Sequence, residues 1–383
     1  MATITGAAGN DTLNGTADAD TIYGLGGDDV IDGKGGADHM YGGAGNDTYY
    51  VDTQDDLIFE SADQGYDLAR SGVSFYLYDN VESLILLGGA GDVYGVGNAL
   101  ANTITGNEGA NLLIGGGGND TISGGLGNDS LYGQDGADEL YGNGGTDYLA
   151  GGAGDDRLDG GNGPDALYGE DGNDVLYGGP DFSTDILVGG AGNDILHGDG
   201  GLSDYDRMDG GPGDDAYYVD TGDDLTFEVA DGGIDTVYAN VPGTNNGVYL
   251  YANVENLTLL GATAFGVGNE LDNRIIGDNN ANWLLGGGGN DTIYGLAGND
   301  VLFGQGGNDT FVFAKGTGGD VIGDFVHGED KIDIQDFPFR AFADLQSHFT
   351  QHGSDGAIDL GGGDFIVLQH TDMSTLDASD FVL

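Results

Sequence analysis

The sequence predicts an all-β solenoid of stacked short strands, finished by a small C-terminal cap containing one helix. Three observations predict it. A nine-residue repeat recurs in three runs, glycine accounts for 80 of 383 residues, and 66 Asp+Glu face 8 Lys+Arg for a formal net charge of −58. A fixed short period marks a repeat architecture rather than two or three independent domains. Glycine at about three times its usual ~7% without a three-residue period, and with only 5 prolines, excludes collagen. The absence of cysteine removes disulfides, zinc ribbons and thiol chemistry. The charge excludes electrostatic capture of nucleic acid or of an anionic membrane.

The repeat is read directly. From Gly6 the chain runs GAAGNDTLN, GTADADTIY, GLGGDDVID, GKGGADHMY and GGAGNDTYY, with Asp11, Asp20, Asp29, Asp38 and Asp47 at the sixth position. The frame returns over 97–218, where Asp120, Asp129, Asp138, Asp147, Asp156, Asp165 and Asp174 follow at intervals of nine, then Asp185, Asp194, Asp206 and Asp215. A third run over 268–312 carries Asp291, Asp300 and Asp309. Of twenty-three units, nineteen have Asp at position six.

Each position has a physical role. Glycine at positions one, two and four permits a tight turn with carbonyl oxygens directed to one side. The last three residues, such as Thr121-Ile122-Ser123, alternate outward, inward, outward and form a short strand with one buried side chain. Stacking the units aligns the inward residues, among them Leu131, Leu140, Leu149, Leu158 and Leu167, into a ladder. The aspartates then form rows beside rows of carbonyls, the hard oxygen donors that Ca²⁺ prefers. One buried aliphatic per nine residues does not offset the ordering of a glycine-rich turn, and aligned aspartates repel. The chain is therefore expected to be unfolded without calcium and to fold when multiple Ca²⁺ ions bind.

The unit GGxGxDxUx resembles the calcium-binding nonapeptide of the RTX (repeats-in-toxin) proteins. The resemblance implies a parallel β-roll, a β-helix solenoid with two units per coil, and calcium held between turns by backbone carbonyls and the position-six Asp. It thus implies metal ligands at Asp11, Asp29, Asp38, Asp47, Asp120, Asp129, Asp138, Asp147, Asp156, Asp165, Asp174, Asp185, Asp194, Asp206, Asp215, Asp291, Asp300 and Asp309. Departures are local. Thr16 and Asp18 stand where glycines belong and put a site at Asp20 in doubt. Asn102, Asn111, Asn273 and Asn282 replace the acid, so their turns are expected to be empty. Extra residues in units 178–188 and 198–209 should bulge the turns at Asp185 and Asp206.

The expected organisation is a repeat block over 1–50, an insert over 51–96, a second block over 97–218, a second insert over 219–267, a third block over 268–312 and a cap over 313–383. The inserts resemble each other: VDTQDDLIFESADQGYD pairs with VDTGDDLTFEVADGGID, and LYDNVESLILLG with LYANVENLTLLG. They read as larger, irregular coils without calcium; a glycan-binding face at Tyr76, Tyr78, Tyr249 and Tyr251 is the alternative. Position-nine tyrosines such as Tyr23 and Tyr41 should stand on adjacent rungs of an outer face. In the cap, PFRAFADLQSHF reads as a helix with Phe339, Phe342, Leu345 and Phe349 on one side, and Gly361-Gly362-Gly363-Asp364 as a hairpin turn. A cap covers the last apolar rung. It is also similar to the C-terminal segment of serralysin-type proteases, ending Asp380-Phe381-Val382-Leu383, which implies passage through a type I secretion apparatus. No basic, apolar signal peptide is visible in MATITGAAGND, and Leu84–Leu87 is far short of a membrane span.

Catalytic motifs are missing from this reading. There is no HExxH, no GxSxG and no lysine after a phosphate-type glycine loop. His348 and His352 stand at i, i+4 on the expected helix, but no third ligand is marked. The expectation is a secreted, extracellular, non-catalytic calcium-binding protein of a surface layer, matrix or adhesive, self-associating or bound to cell-surface polysaccharide. The alternatives are a polysaccharide-active enzyme with its site in the inserts, and a signalling or pore-forming protein.

Overall fold

The computed structural model describes residues 1–199, 205–230, 232–243 and 246–383. Its contacts divide the chain into two compact units, Met1–Asp194 and Ile195–Leu383. Both are parallel β-solenoids of the expected class.

In the first unit every other strand pairs with the next but one, so partners lie one coil apart. One ladder runs Thr12–Asn14, Val30–Asp32, Thr48–Val51, Leu68–Ser71, Ser83–Leu86, Thr103–Thr105, Thr121–Leu126, Glu139–Gly144, Arg157–Asn162 and Val175–Tyr177, all parallel. The opposite side carries the alternate strands, for example Leu112–Gly117, Ser130–Asp135, Tyr148–Ala153, Ala166–Asp171 and Ile186–Ala191. The inward residues thus separate into two facing columns. Leu113, Leu131, Leu149 and Leu167 are in register on one side, and Ile122, Leu140, Leu158 and Leu176 on the other, each fully buried. The inserts continue the ladders: Leu57–Phe59 pairs with His39–Ala44, and Leu68–Ser71 bridges Thr48–Val51 to Ser83–Leu86.

In the central block, from Leu112–Gly117 to Ala166–Asp171, the strands run six residues rather than three. Thr121–Leu126 extends through Gly124 and Gly125 into the next unit, and Gly125 pairs with Asn143. Gly124 is buried, so the inward alternation extends one step past Ile122 because only a glycine fits there.

The second unit repeats the scheme with Ile195–His197, Ala216–Val219, Thr236–Ala239, Asn256–Leu259, Arg274–Ile276, Thr292–Tyr294, Thr310–Val312 and Lys331–Asp333 in one parallel ladder. Phe381–Val382 closes that ladder against Lys331–Asp333. Asp355–Gly361 and Asp364–Leu368 form the antiparallel hairpin. The helix is shorter than the sequence suggests, Phe342–Gln346 only. Phe349 and His352 belong to the strand Phe349–His352, paired antiparallel with Asp355–Gly361, and His348 lies edge-on to Phe339 at 5.0 Å. Sheet pairing overrides the helical spacing, so the His348/His352 pair does not share a helix face. No helix among the described residues is long and apolar enough to cross a membrane.

Candidate metal centres

Each position-six aspartate sits where a turn enters a strand, and both carboxylate oxygens have defined surroundings. Within the rows the Oδ1 atom accepts the backbone N–H of the position-six Asp or Asn one coil earlier. In the central block, Asp120 donates to Asp138 at 2.7 Å, Asp138 to Asp156 at 2.7 Å, Asp156 to Asp174 at 2.8 Å and Asp174 to Asp194 at 2.8 Å. The second row runs Asp129 to Asp147 (2.8 Å), Asp147 to Asp165 (2.7 Å) and Asp165 to Asp185 (2.8 Å). The insertion before Asp185 loops out without breaking the row, leaving Phe182 on the surface. The three extra residues expected to bulge the Asp206 turn fall within 198–209, where 200–204 lie outside the described residues; Asp206 itself is buried.

The other oxygen has no donor. Oδ2 of Asp29, Asp38, Asp47, Asp120, Asp129, Asp138, Asp147, Asp156, Asp165, Asp174, Asp291 and Asp300 is buried without a hydrogen-bond partner. Buried polar atoms in native folds are nearly always satisfied, and a buried carboxylate oxygen without a donor calls for a proton or a cation. The same oxygen points into a glycine cradle. A Cβ added to Gly115 would overlap Asp120 Oδ2 and stand 2.9 Å from the carbonyl oxygen of Gly133, one coil on. Gly133 repeats this with Asp138 Oδ2 and Gly151 O, and Gly286 with Asp291 Oδ2 and Gly304 O. The first glycine thus leaves room where carboxylate and carbonyl oxygens converge, a donor set that fits Ca²⁺.

Burial pushes these acids up. Asp120, Asp156, Asp165, Asp174, Asp291 and Asp300 rise to about 7 and Asp129 to about 6, above the ordinary 3.8, because the charged form loses water. Asp185, Asp194, Asp206, Asp215 and Asp309 are likewise buried in the rows. Asp11 differs: it is half-buried and its Oδ2 takes the N–H of Ala7.

The departures have local explanations. At Asp20 the Thr16 hydroxyl and N–H both donate to Oδ2 at 2.7 Å, and the hydroxyl's bond leads the effects that hold this carboxyl below its usual range. The asparagines fill their own turns. Asn102 Oδ1 takes the Asn98 N–H at 2.6 Å while its Nδ2 donates to the carbonyls of Val81 and Glu82. Asn273 repeats this with Asn269, Val254 and Glu255. Asn111 Nδ2 reaches Val93 O, and Asn282 Nδ2 reaches Thr263 O. In these turns an amide N–H lies against carbonyls, which a cation in the same place could not share.

The rows also contain acids outside the nine-residue frame. Asp38 donates its N–H to Asp56, Asp47 to Asp67, Asp206 to Asp224, Asp215 to Asp235, Asp300 to Asp320 and Asp309 to Asp330. All six acceptors are buried. The inserts, read from sequence as calcium-free coils, therefore extend the acid rows. The first glycine of the motif is lost there, though Gly65, Gly222 and Gly318 keep the fourth-position one, and its second half survives: Asp56-Leu57-Ile58, Asp67-Leu68-Ala69, Asp224-Leu225-Thr226 and Asp320-Val321-Ile322 keep Asp, one residue, then the inward residue. That remnant is the signal that finds them.

The sequence comparison agrees with this geometry. The model of the RTX calcium-binding nonapeptide repeat (4 copies) matches residues 5–40, 23–58, 96–131, 124–158, 150–184, 181–202, 267–301 and 276–311. The chain belongs to the RTX calcium-binding repeat family. RTX nonapeptide repeats bind Ca²⁺ at multiple sites, and calcium is the cofactor of this RTX chain. Two curated relatives, both from Rhizobium meliloti (strain 1021), are similar to part of this chain. Endo-1,3-1,4-beta-glycanase EglC is 38% identical over 156 residues and endo-1,3-1,4-beta-glycanase ExsH 41% over 157, each match spanning 41% of this chain and 30% of the relative. Among solved structures, extracellular lipase LipA from Serratia marcescens overlaps 90% of this RTX chain and 67% of its own, at 13% identity and a TM-score of 0.23, too loose an overlap to bear on function.

Proposed function

We propose that this chain is a secreted, non-catalytic calcium-assembled RTX protein, a structural component of a surface layer, matrix or adhesive. The position-six aspartates named above, except the self-satisfied Asp20, act as ligands, joined by Asp56, Asp224, Asp320 and Asp330. One observation carries the reading: row after row of buried Oδ2 atoms without donors, facing glycine carbonyls. In calcium-poor cytoplasm the sites stay empty, and the like-charged chain remains threadable through a type I secretion apparatus. Extracellular calcium modules work near ~10⁻⁴–10⁻³ M, so the roll closes outside. Electron microscopy before and after calcium addition tests the role. Ordered sheets or filaments support it, and dispersed monomers at every concentration oppose it.

A second reading is polysaccharide contact. Tyr249, Phe265, Trp283 and Phe303 form an outward aromatic row, with Tyr249 and Phe265 centroids 5.5 Å apart and Trp283 and Phe303 6.4 Å apart. Three of them line a groove of about 630 Å³. Aromatic faces suit sugar rings, and two relatives carry glycanase names. Incubation with a 1,3-1,4-β-glycan separates binding from hydrolysis: co-sedimentation without reducing-end release supports a binding face, and release of reducing ends supports an enzyme.

A further inference from the structure

At two places the acid rows meet a third carboxylate that the nonapeptide does not supply. Asp47, Glu60 and Asp67 each offer an oxygen within 4.8 Å of the others, and so do Asp215, Glu228 and Asp235. The spacing is the same in both, thirteen residues and then seven, and each cluster joins the last unit of a repeat block to the insert that follows. Asp47 is 1% exposed and Asp235 is fully buried, and the Oδ2 atom of each has no hydrogen-bond partner.

The local geometry explains why these turns differ. In a regular turn, a Cβ on Gly24 would meet Asp29 Oδ2 and the carbonyl of Gly42. One coil on, a Cβ on Gly42 would meet Asp47 Oδ2, the Tyr49 hydroxyl and Glu60 Oε1. A side-chain carboxylate and a phenol therefore stand where the next coil's carbonyl would be. Tyr49 is fully buried and its hydroxyl donates to Glu60 Oε1. The second cluster repeats the arrangement: the Tyr217 hydroxyl accepts the Gly210 N–H at 2.7 Å and donates to Glu228 Oε1. Asp67 Oδ1 is taken by the Asp47 N–H at 2.8 Å, but Glu60 Oε2 and Glu228 Oε2 are buried without partners. No Lys, Arg or His among the described residues pairs with Asp47, Glu60 or Asp67.

We infer that Asp47–Glu60–Asp67 and Asp215–Glu228–Asp235 are two further divalent-cation sites of calcium type, each clamping a repeat block to its insert beside a buried tyrosine. All-oxygen donors with several carboxylates select a hard cation. The inference shares Asp47 and Asp215 with the proposed rows, while Glu60, Asp67, Glu228 and Asp235 lie outside the nonapeptide.

The test counts calcium on the full chain, refolded in calcium and desalted, for the wild type and for Glu60→Gln/Glu228→Gln. Glutamine keeps the size and an acceptor for each tyrosine. The expected result is a loss of two ions per chain with an unchanged circular dichroism spectrum. An equal count overturns the inference but leaves the row reading intact, whereas a wild type that binds no calcium defeats both. Should the double variant fail to fold, terbium-loaded wild type is compared with Tyr49→Phe/Tyr217→Phe under tyrosine excitation. A drop in sensitised emission supports the two sites, and equal emission overturns them. A protonated-carboxyl infrared band in the calcium-saturated wild type that is absent from Glu60→Gln/Glu228→Gln also overturns them, since protons would then fill the clusters.

Discussion

The backbone N–H of Asp120 donates to Oδ1 of Asp138, one coil away, at 2.7 Å, while Oδ2 of Asp138 is buried with no donor at all. Half of each carboxylate is thus tied to the neighbouring coil and the other half is buried without a partner. The same division recurs along both rows of the central block, so removing charge, proton or ion from one position is felt by its neighbours.

Stability without calcium should fall as pH rises. Asp120, Asp156, Asp165 and Asp174 titrate at about 7 in the calcium-free fold, against an ordinary 3.8 in the unfolded chain. Between those values the folded chain binds more protons than the unfolded one, so their contribution is full below about 4 and lost as pH passes about 7. Calcium-depleted protein should therefore show more β-structure by circular dichroism at pH 5 than at pH 8. The calcium midpoint should move to lower concentration from pH 6 to pH 8, because fewer protons compete. A pH-independent midpoint contradicts this.

Asp129→Asn should convert a calcium turn into one like that of Asn111. The amide supplies N–H where Oδ2 now lies without a donor, relieving a cost of about 1–3 kcal/mol in the calcium-free state. Bound calcium should decrease and calcium-free thermal stability should rise; calorimetry of both states reads the two effects.

Gly133→Ala should be far worse than Gly9→Ala. A Cβ on Gly133 would overlap Asp138 Oδ2 and lie 2.6 Å from Gly151 O, whereas a Cβ on Gly9 meets nothing within 4 Å. Overpacking costs about 1–3 kcal/mol, and an open surface change stays within about 0.5 kcal/mol. Urea unfolding in saturating calcium should separate them by that margin, with weaker calcium binding for Gly133→Ala alone.

Asp380→Ala should loosen the C-terminal cap. Asp380 is fully buried and accepts from His327 Nδ1 at 2.8 Å, Gly328 N at 3.0 Å and Asp377 N at 2.7 Å. Three donors without an acceptor cost about 2–5 kcal/mol locally. Limited proteolysis of the calcium-loaded protein should then cut near Phe381 sooner, with the repeat blocks still protected.

Much of this was legible in the residues, for identifiable reasons. Period nine with Asp at position six gave the rows, and the stacked Tyr23 and Tyr41 rings, 4.8 Å apart, follow from their equal place in successive coils. Thr16 at a glycine position announced the self-satisfied Asp20. The acids of the inserts were harder to see, because the first glycine of the turn is replaced before both Asp56 and Asp67, leaving only Gly65 and the Asp-x-inward remnant. Glu60 was invisible, since it takes the place of a backbone carbonyl and no side-chain pattern records a carbonyl. The helix ended early because Phe349 pairs with Ile358 across the sheet, a contact that local spacing does not encode.

We propose that calcium, rather than the two columns of buried aliphatics, holds the coils together. Circular dichroism of the full chain at pH 7.5, titrated with calcium from excess chelator, tests it most directly. Little β-signal is expected in chelator, followed by a steep, cooperative gain as calcium is added. A full β-spectrum in chelator, unchanged by calcium, would contradict it.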